Sequence, residues 1–247
     1  MTLHIETRSS ESPWVASVWT SRSEDVSVMT SVASETWGLV FWQQGGAHYA
    51  AVTGPESRTS VAPVPLSSEF VGVQFAVGTS LRMVPTTALV DSGIELPDTA
   101  TKSFRLDGRR WETPGADDAE ALVSRLVNDG VIVQDPVVAA ALSGRSSRIS
   151  DRTVERRFRA ATGLTRGAIE QIRRVRAAAE LLIAGVRVSS VVESLGYYDE
   201  PHLARALRRY VGRTASHLRS SAPDAIALPR STNNVVDDLH HSVVIGG

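Results

Sequence analysis

The sequence contains no cysteine among its 247 residues. This absence excludes disulfides, thiolate zinc sites, iron–sulfur clusters and cysteine nucleophiles, and it agrees with a reducing cytosol. No stretch approaches the roughly 18 uninterrupted apolar residues that a membrane span needs. Residues 1–6 show no basic stretch followed by an apolar run, so no secretory signal peptide is visible. We therefore expect a cytoplasmic protein that has no membrane partner.

Sequence motifs of catalysis are missing as well. There is no Gly-x-Ser-x-Gly nucleophile elbow, no phosphate loop ending in Gly-Lys-Ser or Gly-Lys-Thr, and no His-Glu-x-x-His pair. His240 and His241 are adjacent, which is weak evidence for a metal site. The sequence therefore predicts a protein that is not an enzyme and that uses no cofactor and no metal.

Lysine is absent from residues 136–220, where 16 arginines stand against seven acidic residues and give a net charge of +9. Residues 1–135 carry nine Lys and Arg against 17 Asp and Glu, a net charge of −8, while the whole chain has a net charge of −1. This segregation predicts an acidic domain joined to a basic domain that has a polyanionic partner. The alternative is an arginine-rich solvated surface.

The first half of the chain has the pattern of a mostly β domain. All five tryptophans lie before residue 112, and short β-type runs are separated by Gly, Pro and Ser. We expect strands near residues 14–21, 26–31, 36–43, 48–53, 59–62 and 70–76. Gly45 and Gly46 suit a hairpin turn, and residues 80–90 are ambiguous between strand and helix because of Pro85. A helix predicted over residues 117–128 completes a barrel-like or α+β domain over residues 1–130.

From Pro136 onward the periodicity becomes helical. Capping residues predict where helices begin: Asp135 before Pro136, Ser150, Thr165, and Ser190 with Glu193 as a capping box. The main helices are expected over residues 150–162, 166–184 and 199–211, the last after a turn at Gly196. We predict an all-α domain over residues 136–220 and a disordered tail over residues 221–247.

Two parts of the basic domain repeat one pattern. Each begins with a polar cap, places apolar residues four and eight positions later, has arginines between them, and ends in Gly-x-Thr. The helix between them would span roughly 28 Å at ~1.5 Å per residue. Successive major-groove faces of DNA recur every ~34 Å. The spacing therefore predicts two recognition helices that enter the major groove of double-stranded DNA.

The paired pattern resembles the AraC/XylS family of bacterial transcription regulators over residues 136–219. The resemblance rests on these residues: Ser150, Val154, Phe158, Gly163, Leu164, Thr165, Arg176, Ala179, Leu182, Gly196, Tyr197, Asp199, His202, Leu203, Arg205, Gly212, Thr214 and Arg219. It implies two helix-turn-helix units that bind promoter DNA, an N-terminal domain that senses a small-molecule effector or forms a homodimer, and, for an activator, contact with RNA polymerase. Residues 37–42, 52–55 and 70–75 resemble uncharacterised sensor-like domains fused to some of these regulators.

Three features depart from the family pattern. The stretch between Pro136 and Ser150 is too short for the two helices that usually precede the first recognition helix. Leu207 stands where the family usually has Phe, and Ala215 stands where it usually has Pro. We therefore expect the first helix-turn-helix unit to be abridged.

Residues that match the groove-facing positions of the family are assigned to base edges: Arg152, Glu155, Arg156, Glu200, Pro201, His202 and Arg205. Arginine suits guanine O6 and N7, and glutamate can accept from a cytosine amine. Phosphate contacts are assigned to Ser150, Arg159, Arg208, Arg209 and Thr214. Alternatives stay open, since the arginines could pair with carboxylates or cover apolar surface, and the two glutamates could stabilise helix N-termini.

Aromatic side chains of the first domain suggest an effector site. Trp37, Trp42, Tyr49 and Phe75 could line a small-molecule pocket inside a small barrel, although such residues also form ordinary cores. The leading hypothesis is a sequence-specific DNA-binding transcription regulator. The alternative is a ligand-binding or protein-interaction module whose basic helices dock an acidic protein partner.

Overall fold

The computed structural model describes residues 4–24, 28–97, 99, 102–142 and 149–220. Its strands are β1 (His4–Ser9), β2 (Val15–Ser23), β3 (Val28–Thr30), β4 (Gly38–Gln44), β5 (Ala47–Thr53), β6 (Val61–Pro63), β7 (Ser68–Phe75), β8 (Thr79–Leu81), β9 (Gly93–Glu95), β10 (Ser103–Leu106), β11 (Arg109–Glu112) and β12 (Ile132–Gln134). Its helices are α1 (Thr86–Leu89), α2 (Ala119–Asn128), α3 (Pro136–Leu142), α4 (Asp151–Thr162), α5 (Arg166–Ile183), α6 (Val188–Ser194), α7 (Glu200–Tyr210) and α8 (Ala215–Ser220). The α+β fold class is confirmed.

The main sheet has six antiparallel strands in the order β1-β2-β7-β4-β5-β9. The β4–β5 hairpin turns at Gly45 and Gly46, whose φ angles of 56° and 82° meet the left-handed requirement of a two-residue turn. Strands β1 and β9 form the edges, so this sheet is open and does not close into a barrel. Three two-stranded pairs accompany it: β10–β11, β12–β8 and β3–β6.

Helix α2 covers one face of the main sheet. The alternation of β4 turns Leu39 and Phe41 to this face, where both are buried. Leu122 and Leu126, one turn apart on α2, belong to the same core. Because β12 continues this assembly by pairing with β8, we call residues 4–134 the β region. The domain limit predicted at residue 130 stays a prediction.

The ambiguous segment over residues 80–90 contains both a strand and a helix. Strand β8 ends at Leu81, and α1 begins at Thr86 directly after Pro85. Proline suits this place because its φ, here −59°, is already close to the helical value. Pro85 therefore marks the start of α1, four residues after the end of β8.

We call residues 136–220 the helical region. In this region, helix α5 joins two groups of helices. Thr165 caps α5, since its hydroxyl accepts the backbone N–H of Ala168 at 3.1 Å. Helices α3 and α4 lie near its N-terminal end, while α6, α7 and α8 pack along the rest of it. In the described part of the chain no helix is long and apolar enough to cross a membrane.

The helices predicted over residues 150–162 and 199–211 are observed as α4 and α7, with bounds that differ by one residue at most. Asp135 caps α3, because its carboxylate accepts the N–H of Val137 at 2.8 Å. The capping box predicted at Ser190 is wrong, because α6 already begins at Val188 and Ser190 lies inside it. The tail predicted over residues 221–247 lies outside the described residues.

Candidate nucleic-acid interface

Helix α7 is anchored on one side and exposed on the other. Its N-cap is Asp199, whose carboxylate accepts the N–H of His202 at 2.6 Å. Leu203 and Leu207 are fully buried against the neighbouring helices. The opposite face exposes three basic side chains, those of Arg205, Arg208 and Arg209. Helix α7 is therefore amphipathic, with a buried apolar face and an exposed cationic face.

Helix α4 repeats this arrangement in the first unit. Phe158 and Ala161 are buried, while Arg152, Arg156 and Arg159 are exposed. The helix ends at Gly163, which has a left-handed φ of 78° and donates its N–H to the carbonyl of Arg159. Ser150 occupies the N-cap position, but its hydroxyl lies 3.1 Å from that of Thr153 and makes no capping bond to the backbone.

The second helix-turn-helix unit is complete within the described residues. Helix α6 leads to Gly196, whose φ is 66°, and then to the buried Tyr197 and α7. Residues of α5, α6, α7 and α8 share one apolar core. In the first unit, α3 packs against α4, and residues 143–148 between them lie outside the described part of the chain.

Five exposed arginines of α4 and α7 differ from those arginines of the helical region that pair with carboxylates. Arg157 pairs with Asp135 at 3.0 Å, and Arg173 and Arg176 pair with Glu35 at 3.1 and 2.7 Å. Among the residues that the structure describes, no carboxylate pairs with the following side chains: Arg152, Arg156, Arg159, Arg205 and Arg208. Arginines that have no carboxylate partner within the described residues are suited to an external polyanion.

Some residues assigned to DNA already have contacts inside the protein. Glu155 accepts the backbone N–H of Arg166 at 3.3 Å, at the first turn of α5. Thr214 accepts the N–H of His217 at 3.2 Å and so caps α8. Arg209 places its guanidinium 5.4 Å from the ring centre of Tyr210. The contact of Glu155 supports the alternative, left open above, that it stabilises a helix N-terminus.

His202 lies at the N-terminal end of α7 in a fixed orientation. Its Nδ1 accepts the backbone N–H of Tyr198 at 3.4 Å, and its ring meets Tyr197 edge-on with 5.3 Å between centroids. Because Nδ1 accepts, the neutral ring carries its proton on Nε2 and presents a donor there. Pro201 and Glu200 are exposed beside it in the first turn.

Tyr198 is a surface residue that the sequence reasoning missed. Its side chain is 90% exposed, and it directly precedes the cap of α7. An exposed aromatic ring at this point has no packing role in the described structure. The signal in the sequence was the Tyr-Tyr pair after Gly196, of which a core needs only Tyr197.

The four aromatic residues assigned to an effector site lie on opposite faces of the main sheet. Trp37 and Phe75 stack at 3.9 Å between centroids in the core beneath α2, and the indole N–H of Trp37 donates to the carbonyl of Thr79. Trp42 and Tyr49 stack at 5.1 Å on the other face. The structure therefore does not bring the four together around one cavity.

Glu35 is the most strongly held carboxylate near the recognition helices. Burial acts to raise its pKa, but the adjacent guanidiniums of Arg176 and Arg173 outweigh burial and hold the pKa below its ordinary value. Glu35 therefore stays ionised while buried, and it neutralises two arginines of α5.

Comparison with known proteins agrees with this geometry. Residues 145–221 match a family described as a helix-turn-helix domain. Over 78 residues the chain is 36% identical to the HTH-type transcriptional regulator RipA of Corynebacterium diphtheriae. The match covers 32% of this chain and 23% of that relative, so it spans less than a quarter of the relative's length. ToxT from Vibrio cholerae superimposes over 87% of this chain and 98% of its own with a TM-score of 0.37 and 6% identity, a likeness too loose to support an argument.

Proposed function

We propose that this protein is a sequence-specific transcription regulator that reads promoter DNA in the major groove. The premise is that residues 145–221 form an AraC-type helix-turn-helix domain. The observation that carries the proposal is the pair of recognition helices, α4 and α7, each with a buried apolar side and an exposed arginine side. Helix α5 between them has 18 residues, or roughly 27 Å at ~1.5 Å per residue. This length suits helices that enter successive faces of the groove.

Base recognition is proposed for the N-terminal halves of the two helices. In docked helix-turn-helix proteins the N-terminal residues of the recognition helix contact base edges. Arg205 and His202 lie one turn apart on α7 and present donors suited to guanine O6 and N7. On α4, Arg156 holds the place that corresponds to Arg205, six positions after the N-cap, and Arg152 lies about one turn before it. Glu200 and Pro201 stay assigned to base edges, whereas the contact of Glu155 with α5 supports a capping role.

Phosphate contacts are proposed for residues farther along the helices, namely Arg159, Arg208 and Arg209, together with Ser150. These side chains are exposed and flank the base-reading positions. They would orient the protein and supply affinity without reading sequence. Thr214, which caps α8, keeps its hydroxyl oxygen occupied by the N–H of His217 but retains a hydroxyl donor for a phosphate.

The experiment that tests the function is a binding assay with the DNA upstream of the protein's own gene. The purified full chain is titrated against this duplex and against unrelated DNA over a series of salt concentrations. Preference for the upstream DNA, with a log–log salt slope of about 0.9 per phosphate contact, supports a sequence-specific regulator. Equal and weak binding to both duplexes contradicts it and favours docking on an acidic protein.

We also propose that a small molecule controls the protein by binding to the β region. Direct contacts of that region with α5 and α7 support a route by which a change in the sheet reaches the recognition helices. Because the four aromatic residues lie on opposite faces of the main sheet, an effector would contact either Trp37 and Phe75 or Trp42 and Tyr49. Thermal shift of the full chain in a library of small metabolites tests this part, and no ligand that raises the melting temperature would contradict it.

A further inference from the structure

The β region contacts the C-terminal end of recognition helix α7 through its backbone. The N–H of Ala33 donates to the carbonyl of Tyr210 at 2.8 Å, and the N–H of Thr59 donates to the carbonyl of Arg209 at 2.9 Å. The last carbonyls of a helix have no partner within the helix. Here two loops of the β region supply those partners, so the end of α7 is held by residues more than 100 positions away in the chain.

A buried ion cluster ties the same part of the β region to helix α5. Glu35 is 8% exposed and accepts from Arg173 Nε at 3.1 Å and from Arg176 Nη1 at 2.7 Å. Removing one member of a buried cluster leaves an uncompensated charge, which is strongly unfavourable. Separating the β region from α5 would break this ion cluster, so the cluster opposes a partial separation of the two.

The apolar cores of both helix-turn-helix units include residues of the β region. Val32 belongs to the core of the second unit, and Ala33 belongs to the core that surrounds Phe158 in the first. Val77 and Val90 pack against that first core as well. The helical region therefore does not enclose its own cores completely.

Both recognition helices end directly against the β region. A Cβ on Gly163, at the end of α4, would lie 2.6 Å from Val90 Cγ2 and 2.9 Å from the Thr86 carbonyl oxygen. A Cβ on Gly212, at the end of α7, would lie 2.8 Å from the hydroxyl oxygen of Thr59. These approaches are closer than any side chain permits, so glycine is required on steric as well as conformational grounds.

The first unit, which α1 of the β region contacts at α4, is short. Only 13 residues lie between Pro136 and Ser150, which is too few for the two helices that usually precede the first recognition helix. In this chain α1 of the β region packs against α4. A short helix from the other part of the chain thus lies against the first recognition helix.

We infer that the β region fixes the orientation of the two recognition helices relative to each other, with Glu35 as a positioning residue that acts through Arg173 and Arg176. The inference rests on the proposed function. Helix α5 alone sets a separation, but each end of it meets a turn, at Gly163 and at Gly185. The β region contacts both helices directly, α4 through α1 and Val90 and α7 through Ala33 and Thr59, and so restrains rotation about those turns. The protein should consequently measure the distance between two DNA half-sites.

The test uses a duplex enriched from a randomised library by the wild-type full chain. Versions with one or two base pairs inserted or removed between the recognised halves are then compared with it. Each base pair shifts one half-site by ~3.4 Å and rotates it by roughly 35° relative to the other. We expect the wild-type protein to bind the native spacing at least tenfold more tightly than the altered ones.

Glu35→Gln removes the charge and keeps the shape, and we expect it to reduce that spacing ratio at least threefold. A loss of folded protein alone would weaken binding to all duplexes by one factor and leave the ratio unchanged. Glu69→Gln is the matched control, because Glu69 pairs with Arg22 on the exposed surface of the main sheet. Should Glu35→Gln fail to fold, Arg173→Gln removes only one of the two arginine contacts and gives the same readout.

The outcomes separate the two proposals. A selection that enriches no sequence rejects the proposed function and, with it, the inference that depends on that function. An enriched duplex with a spacing ratio near one for the wild-type protein overturns the inference alone. So does a wild-type ratio that Glu35→Gln and Arg173→Gln leave unchanged.

Discussion

Replacing Arg205 by alanine should reduce sequence discrimination more than general DNA affinity. Arg205 is exposed on α7, follows His202 by one turn, and has no carboxylate partner among the described residues. Leu203 and Leu207 lie on the opposite, buried side of α7, so truncation of Arg205 leaves the helix anchored. The change therefore reports on the external contact and not on folding.

The magnitude follows from the bond that arginine would make. A bidentate contact to guanine contributes about 1–3 kcal/mol of discrimination against the wrong base, which is roughly 5-fold to 150-fold in relative affinity. Arg209→Ala is the matched comparison, because it lies four positions farther on the same helical face. Arg209 is assigned to phosphate, so its loss should weaken all duplexes alike and reduce the salt slope by ~0.9.

The assay is competitive binding of each variant to the selected duplex and to single-base variants of it, at three salt concentrations. Arg205→Ala should flatten the preference at one or two adjacent base pairs. The reasoning is refuted if Arg205→Ala lowers binding to every duplex equally, or if Arg209→Ala is the variant that changes base preference.

The remaining predictions concern stability and the recognition surface. Asp199→Ala should lower the free energy of unfolding by about 0.5–2 kcal/mol in urea, because the cap of α7 is lost, whereas Ser216→Ala in α8 should change it little. Leu203→Ala should cost about 2–5 kcal/mol, and a loss below 1 kcal/mol would contradict its complete burial in the core. Tyr198→Ala should weaken DNA binding with no change in thermal stability, since its ring is exposed; unchanged affinity would remove it from the interface. The pKa of Glu35 is lowered from 4.5, so its stabilisation is present above that pH and is lost as the pH falls through the lower pKa of the folded state. The difference in unfolding free energy between wild type and Glu35→Gln should therefore shrink below pH 4.5, and a difference that grows on acidification would contradict the ion cluster.

Helices with strong local signals could be predicted from the sequence. For α4 and α7 a polar cap, apolar residues at spacings of four and a terminal glycine all lie within 15 residues, and these interactions form inside the helix or its immediate neighbours. The strands that were missed are short or weakly patterned. β1 is nearly polar throughout, and β9 and β12 have three residues each, so only their pairing with distant strands makes them strands.

One part of the arrangement of the four aromatic residues could be predicted from the sequence, and another part could not. Trp37 and Trp42 are five positions apart, and in one extended strand an odd separation places side chains on opposite faces. That could be read from the sequence. The placement of Phe75 beside Trp37 depends on the register between β4 and β7, which only the assembled sheet establishes.

Local sequence alone determined that this chain has two amphipathic helices with an exposed arginine face, because caps, periodicity and charge act over a few residues. Only the tertiary structure decided that Glu35 lies between Arg173 and Arg176, and that Gly163 and Gly212 lie against loops of the β region. Such contacts join positions 73 (Gly163 and Val90) to 182 (Gly212 and Thr30) residues apart and leave no periodic trace in the sequence. They form because burying a charged or apolar group is favourable only when the folded chain brings its partner to the same place.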